Sequence, residues 1–167
     1  MDWVESNGGP LLLAPERYLL DWLGADGPAD GGTDYERACS VDDYAEAIEV
    51  GAGQGIVLGD EPLPTAWHPV GRGGMLVRWV AAPDEATIER VLAELPEGIP
   101  WESIFEVDID AEDGALILFD AAVPGAELPR EHLRVTLSPG RYAFELSAWH
   151  PAANTALLLH RFRPEER

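Results

Sequence analysis

The sequence predicts a mainly β protein, all-β or α+β, with about eight strands in two related antiparallel halves. Short runs rich in β-branched and aromatic residues recur between Gly, Pro and Asp turns, which is typical of antiparallel sheets. Only one segment has a strong helical period, and an internal repeat relates the two halves. We therefore expect an N-terminal β half at 1–82, a connecting helix at 83–97 and a C-terminal β half at 98–167, packed as one compact unit.

The clearest hairpin lies in the first half. Its two predicted strands, 44–50 and 55–59, are separated by GAGQ, whose glycines adopt positive φ at little steric cost. The segment GDEPLP follows. Because its prolines lack the N–H that a sheet ladder requires, the second strand should end near Asp60. A loop rich in Pro and Gly is expected from there to Gly73.

The same pattern predicts further strands along the chain. They lie at 11–14, 74–82, 104–110, 115–120, 133–137, 141–149 and 155–162. The strands at 104–110 and 115–120 flank an AEDG turn, so they should pair as a second hairpin, the counterpart of the first.

The one strongly periodic helix is predicted at 84–95. Asp84 can cap its N-terminus and Pro96 should end it. Its apolar face consists of Ile88, Val91, Leu92 and Leu95. A short helix is also predicted at 16–23, whereas residues 34–41 fit either one turn of helix or an irregular strand.

An internal repeat underlies the two-half architecture. At a constant offset of 60, the segment beginning at Ile56 aligns with the segment beginning at Leu116, which sets Asp60 beside Asp120. Downstream, the strand that begins at Gly74 resembles the one that begins at Gly140. Chance similarity of short β patterns is the alternative to an ancestral duplication.

Charge limits the classes of partner. The chain has 31 acidic and 11 basic residues, a net charge of −20, and every basic residue is Arg. Residues 1–60 carry 13 acidic and 2 basic side chains, whereas residues 121–167 carry 5 and 6. Such a field repels a phosphate backbone, so direct nucleic-acid binding is not expected, but it attracts a basic protein. Solubility alone is the competing explanation.

Catalytic and metal-binding patterns are weak. GAGQG precedes a strand rather than a helix, and the acidic run at 108–113 lacks the Gly and Glu of a calcium loop. The histidines, His68, His132, His150 and His160, have no zinc-site spacing. Cys39 is expected to be a small buried hydrophobic residue. No enzyme, metal or cofactor is therefore predicted. The lone cysteine and the absence of a signal-like or membrane-spanning segment favour the cytoplasm.

Three segments carry a family resemblance. They are GGPLLL at 8–13, DYERAC at 34–39 followed by DDY at 42–44, and VLGDEP at 57–62. With them, the chain from Trp3 to Phe162 resembles the immunity protein 21 family of bacterial polymorphic toxin systems. The resemblance implies a mostly β protein that binds a partner toxin, and the loop at 25–32 departs from the family pattern.

The predicted partner surface is the acidic hairpin and the loop after it. Its candidate residues are Asp42, Asp43, Glu46, Glu49, Asp60 and Glu61. Carboxylates there would pair Lys and Arg of a basic toxin domain, such as a nuclease, and occlude its active site. Trp3, Trp67 and Trp101 are flanked by polar, Pro or Gly residues and fit either partial burial or a role as aromatic anchors, and Trp67 and Trp101 are the candidate anchors. Trp22, Trp79 and Trp149 are expected to be buried.

Two other functions stay open at this point. One is a small-ligand-binding protein or an enzyme of unrecognised type, which would have a deep pocket with convergent polar groups. The other is an acidic DNA mimic that inhibits a nucleic-acid-binding protein of the host.

Overall fold

The computed structural model describes residues 1–28, 30–59, 61–111 and 115–165, and it confirms a mainly β fold. In these ranges the strands form two antiparallel sheets, one of six strands and one of five. The strands are β1 (Trp3–Val4), β2 (Leu11–Pro15), β3 (Glu46–Val50), β4 (Gly53–Leu58), β5 (Thr65–Val70), β6 (Gly73–Ala81), β7 (Glu102–Ile109), β8 (Leu116–Asp120), β9 (Leu133–Val135), β10 (Gly140–Ala152) and β11 (Thr155–Pro164).

The helices are short. They are α1 (Asp34–Cys39) and α2 (Glu85–Ala93), with 3₁₀ turns at Glu16–Asp21, Gly24–Asp26 and Gly125–Glu127. No helix in the described part of the chain is long and apolar enough to cross a membrane.

The chain divides into two compact units, each built from separate segments. The five-stranded unit comprises Val4–Pro62 and Ile109–Pro139. The six-stranded unit comprises Met1–Trp3, Leu63–Asp108 and Gly140–Arg167. Each unit contains residues from both sides of the helix predicted at 83–97. The duplication of two halves stays a prediction.

The five-stranded sheet is built around β2, in the order β3-β4-β2-β8-β9. Leu12 of β2 pairs with Val57 of β4 and with Phe119 of β8, and all three side chains are buried. Trp22 packs into the same core, and its indole Nε1 donates to the Ala121 carbonyl at 2.9 Å. Three largely buried strands, β4, β2 and β8, therefore lie side by side at the centre of this sheet.

The six-stranded sheet has the order β1-β5-β6-β11-β10-β7, and α2 packs on one face of it. The predicted helix is confirmed: Asp84 caps it by accepting from the Thr87 N–H at 2.8 Å. Its buried residues Ile88, Val91 and Leu92 form a core with Met75, Val77, Leu157 and Leu159 from the sheet. Leu95 is half-buried against this core.

The first predicted hairpin is confirmed. β3 and β4 pair antiparallel, with Val50 opposite Gly53. The turn therefore consists of Gly51 and Ala52 rather than all four residues of GAGQ. Gly51 has φ 57°, the left-handed conformation that glycine adopts at little cost. β4 ends at Leu58, close to the end predicted from the prolines.

The second predicted hairpin is wrong. β7 neighbours β10 in the six-stranded sheet, whereas β8 lies between β2 and β9 in the five-stranded sheet. Of the predicted turn between them, residues 112–114 lie outside the described residues. Sequence alternation marks a strand but does not choose its neighbour, because every half-buried strand offers the same pattern.

Two further segments, β5 and α1, can be compared with the sequence prediction. The loop expected after Asp60 contains a strand, since β5 pairs with β6 from Thr65 to Val70. Pro69 is tolerated near its end because β1, the other neighbour of β5, has only two residues. The segment that fitted either helix or strand forms α1, capped by a reciprocal Thr33–Glu36 box.

The strands that the repeat aligns do occupy comparable places. β4 and β8 lie on either side of β2, and both run antiparallel to it. Leu11 pairs with Leu58 of β4 and with Asp120 of β8, two residues that are 62 positions apart in the chain. The pairing therefore differs by two residues from the offset of 60 that aligns the two segments in the sequence. In the other sheet, β6 and β10 similarly flank β11.

Candidate functional site

The acidic candidates that the structure describes lie in the five-stranded unit and are exposed. Asp42 and Asp43 follow α1, Glu46 and Glu49 belong to β3, and Glu61 follows β4. Asp60 lies outside the described residues. The described acidic candidates therefore lie on β3 and in the segments that follow α1 and β4, and their role as a partner surface stays a prediction.

The carboxylates of β3 do not form one row. β3 is an edge strand, and its side chains alternate between the two faces of the sheet. Glu49 is exposed opposite half-buried Ile48 and buried Val50, as predicted. Glu46, three residues earlier, belongs to the face of Ile48 and Val50 and pairs with Val57. The two carboxylates can therefore contact different parts of a partner.

A cavity of about 320 Å³ opens beside these acidic residues. Its wall is made by three chain segments: residues 8–10 before β2, α1 with the residues after it, and the residues after β4. The lining residues are Gly8, Gly9, Pro10, Tyr35, Ala38, Cys39, Val41, Asp42, Gly59, Glu61 and Pro62. We call this the acidic cavity, since Asp42 and Glu61 are its charged lining residues among those described.

Two glycines keep the walls of the acidic cavity close together. A Cβ atom on Gly9 would lie 2.2 Å from the Tyr35 hydroxyl oxygen, and one on Gly59 would lie 2.7 Å from the Asp43 carbonyl oxygen. Contacts this short do not occur between real side chains and their neighbours. Any larger residue at either position would therefore displace the cavity wall.

Tyr35 and Cys39 supply a hydroxyl and a thiol to the cavity. A hydrogen bond with Cys39, together with burial, raises the pKa of Tyr35, so its hydroxyl stays protonated at neutral pH. Cys39 is exposed, and the expectation that it would be buried is wrong. It is the last residue of α1, where Ala38 takes the inward position. No group of three or more possible metal ligands occurs among the described residues.

The two candidate aromatic anchors belong to the six-stranded unit and are half-buried. Trp67 packs edge-on against Phe162, with ring centroids 6.0 Å apart. The Arg161 guanidinium lies 4.0 Å from the centroid of the Trp101 ring. Each ring therefore has a packing role within its own unit, and its role in partner binding stays a prediction.

Arg161 is itself held by a buried carboxylate. Glu145 accepts from Arg161 Nε at 2.8 Å and from Arg163 Nε at 2.9 Å. Burial would raise the pKa of Glu145, but the hydrogen bonds from Arg163 and Arg161 outweigh it and lower that pKa. Of the tryptophans expected to be buried, Trp22 is buried, whereas Trp79 and Trp149 are half-buried.

Negative charge is concentrated in the unit that contains the acidic cavity. By sequence, the five-stranded unit has 19 acidic and 4 basic residues, a net charge of −15. The six-stranded unit has 12 and 7, a net charge of −5. Three quarters of the net charge of −20 thus belongs to one unit, and a basic partner would be attracted mainly to it.

A comparison with protein-family models decides the family. Residues 2–155 match the model of immunity protein 21. The chain belongs to the immunity protein 21 family. No curated protein and no solved structure matches it. The match ends at the first residue of β11, seven residues before the Phe162 at which the predicted resemblance ended.

The segments on which the immunity protein 21 resemblance rests meet at the acidic cavity. GGPLLL contributes residues 8–10, DYERAC with DDY contributes residues of α1 and Asp42, and VLGDEP contributes Gly59, Glu61 and Pro62. Asp42 and Glu61 are candidates by sequence, whereas Gly9 and Tyr35 are not and Cys39 was expected to be buried. The signal that could have found these three was their place in the same family segments.

Proposed function

We propose that this chain binds and neutralises a cognate toxin domain of a polymorphic toxin system, through the acidic cavity and the exposed acidic residues around it. The toxin domain is basic, and a nuclease is the favoured class. The observation that carries the proposal is that three family segments, distant in sequence, converge on one acidic concavity. None of the three has a chemical motif of its own, so their shared surface is the feature that a partner could recognise.

The mechanism we propose is occlusion of the toxin active site. A nuclease holds the phosphates of its substrate with Lys and Arg side chains. Exposed carboxylates at Asp42, Asp43 and Glu49 are acceptors for the same donors, and charge-assisted hydrogen bonds of this kind are among the strongest in proteins. The net charge of −15 on this unit would also speed the encounter.

Under this proposal the chain acts without catalysis or a cofactor, and it acts in the cytoplasm, where a toxin would reach its target. The competing functions predict different partners. A small-ligand protein would bind a metabolite in the acidic cavity, and a DNA mimic would bind a host protein rather than a toxin.

The decisive experiment needs the cognate toxin domain, which is to be sought as the C-terminal domain of a large secreted protein encoded immediately upstream of this gene. Co-expression with the chain should restore growth, and the purified pair should form a complex in which the toxin no longer cleaves nucleic acid. A non-cleavable oligonucleotide should compete with the chain for the toxin. If the complex forms but the oligonucleotide binds it unhindered, occlusion is refuted. If no complex forms at micromolar concentration, the immunity role itself is refuted.

Gly9→Ala tests whether the shape of the acidic cavity matters. The new Cβ would displace the Tyr35 ring, whereas Gly9 has no positive φ that the substitution would strain. We expect the dissociation constant of the toxin complex to rise about tenfold while the fold is retained. The matched control is Gly98→Ala, because a Cβ at Gly98 meets nothing within 4 Å. Equal toxin affinity for the two variants would contradict a role for the cavity.

A further inference from the structure

Two leucines in the five-stranded unit are turned to solvent. Leu20 is 74% exposed and Leu23 is 45% exposed. Leu20 is the most exposed large apolar side chain in the described part of the chain. Single exposed apolar residues are ordinary on protein surfaces, whereas Leu20 and Leu23 are both exposed within one short segment. We call the pair the leucine patch.

The fold does not need the leucine patch for its core. The inward positions of this segment are taken by Leu19 and Trp22, which are 7% and 1% exposed. Leu20 belongs to the 3₁₀ helix that ends at Asp21, and Leu23 follows it after Trp22, whose extended backbone (φ −94°, ψ 111°) ends the helix. Polar residues would be accommodated there equally well, so the exposed apolar surface calls for another explanation.

Helix α1 connects the leucine patch to the acidic cavity. At one end of α1, the Asp34 carboxylate accepts from the Leu23 backbone N–H at 2.8 Å. At its other end, Ala38 and Cys39 line the cavity. A helix of six residues is about 9 Å long. Patch and cavity therefore fit within one standard interface, which covers about 800 Å² of each partner.

The surroundings of the leucine patch indicate the chemistry of its partner. Exposed acidic residues outnumber exposed basic ones near it along the chain and on α1; the acidic residues are Glu16, Asp21, Asp26 and Glu36, and the basic ones are Arg17 and Arg37. An apolar centre with a charged border is the arrangement of protein interfaces, where the border excludes water from the anchor. The complementary surface is an apolar depression bordered by Lys and Arg.

We infer that the leucine patch is the apolar anchor of the toxin interface and inserts into such a depression on the basic toxin domain. This inference rests on the proposed immunity function. It assigns different kinetic roles to the two groups of residues. The carboxylates around the acidic cavity determine the association rate, and the leucines determine the dissociation rate. Apolar contacts act after encounter and respond little to salt, whereas charges act before it.

The test is the double variant Leu20→Ala, Leu23→Ala. Its association and dissociation rates with the cognate toxin domain are measured by surface plasmon resonance across a salt series. We expect the dissociation rate to rise about 30-fold, with the association rate and its salt dependence unchanged. The matched control is Val70→Ala, Val80→Ala, two exposed apolar residues of the six-stranded unit with 52% and 48% exposure. The control should keep the dissociation rate of the native chain.

The outcomes separate this inference from the proposed function. If the native chain binds the toxin and the leucine variant dissociates no faster than the control, the inference is overturned and the immunity function stands. If the native chain does not bind the toxin, both the inference about the leucine patch and the proposed immunity function are overturned. Sedimentation of the chain alone adds a further arm: a dimer that the leucine variant converts to a monomer would mean that the patch faces a second copy, which also overturns the inference.

Discussion

Replacing Asp42, Asp43 and Glu61 by Asn, Asn and Gln is expected to weaken toxin binding about 100-fold, with the loss greatest at low salt. Asp42 and Glu61 line the acidic cavity, and Asp43 lies beside them with its carbonyl against Gly59. Close charge pairs in inhibitor complexes couple by about 1.5–7 kcal/mol, so three lost carboxylates suffice for this effect even if one makes no pair. The association rate should fall about tenfold, and its salt dependence should become weaker.

The control for this triple variant removes the same charge elsewhere. Glu94, Glu97 and Glu102 are exposed residues of the six-stranded unit, and replacing all three by Gln raises the net charge by the same three units. We expect this control to bind within about threefold of the native chain. The measurement is stopped-flow association across a salt series, with thermal unfolding to verify that both variants are folded. Equal losses in the two variants would show that only total charge matters.

Acid is expected to destabilise the fold through His160, and His160→Leu should remove this sensitivity. His160 lies on β11, fully buried, with its ring stacked on Phe144 at 5.5 Å between centroids. Neither ring nitrogen has a hydrogen-bond partner among the described residues. Burial, followed by the charge of nearby Arg78, lowers the pKa of His160 from 6.5 to about 3.

The direction of this effect follows from proton binding. Between about pH 6.5 and 3, the unfolded chain protonates this histidine and the folded chain does not, so the free energy of unfolding falls as the pH falls. The contribution of neutral His160 to the free energy of unfolding is complete above pH 6.5. Below that pH it is lost at about 1.4 kcal/mol per pH unit. From pH 7 to pH 5 the native chain should lose about 2 kcal/mol more than His160→Leu, measured by urea unfolding.

Two comparisons isolate the contribution of His160. Burial also lowers the pKa of His68, which adds acid sensitivity of the same sign to the native chain and the variant alike. The control Val77→Ala, buried in the same sheet, should lower stability at both pH values without changing their difference. If His160→Leu loses as much stability between pH 7 and pH 5 as the native chain, protonation of His160 does not limit the fold.

Local sequence signals predicted the elements that depend on near neighbours. The hairpin of β3 and β4 follows from its strand pattern and from Gly51, which takes the positive φ of the turn. Helix α2 follows from the Asp84 cap and from the spacing of Ile88, Val91 and Leu92. The exposure of Glu49 opposite Val50 follows from strand alternation. Each of these signals is contained within about ten residues.

Signals of this kind failed where the partner is distant in sequence. β7 and β8 are consecutive strands that look like a hairpin, yet they belong to different sheets. Cys39 has apolar neighbours in sequence, yet it is exposed because the turn of α1 directs Ala38 inward instead. His160 sits in an ordinary strand pattern, and only its surroundings, Phe144 and Arg78, bury it and lower its pKa.

The sequence by itself determined the β class, the first hairpin, helix α2, the acidic character and the resemblance to the immunity protein 21 family, because composition and short periodic patterns carry that information. Only the tertiary structure decided which strands are neighbours, that negative charge collects in one unit, and that Gly9, Tyr35 and Glu61 line one cavity. The physical reason is that a cavity is made by backbone segments brought together by sheet pairing. Pairing depends on contacts between residues far apart in the chain, which no local pattern specifies.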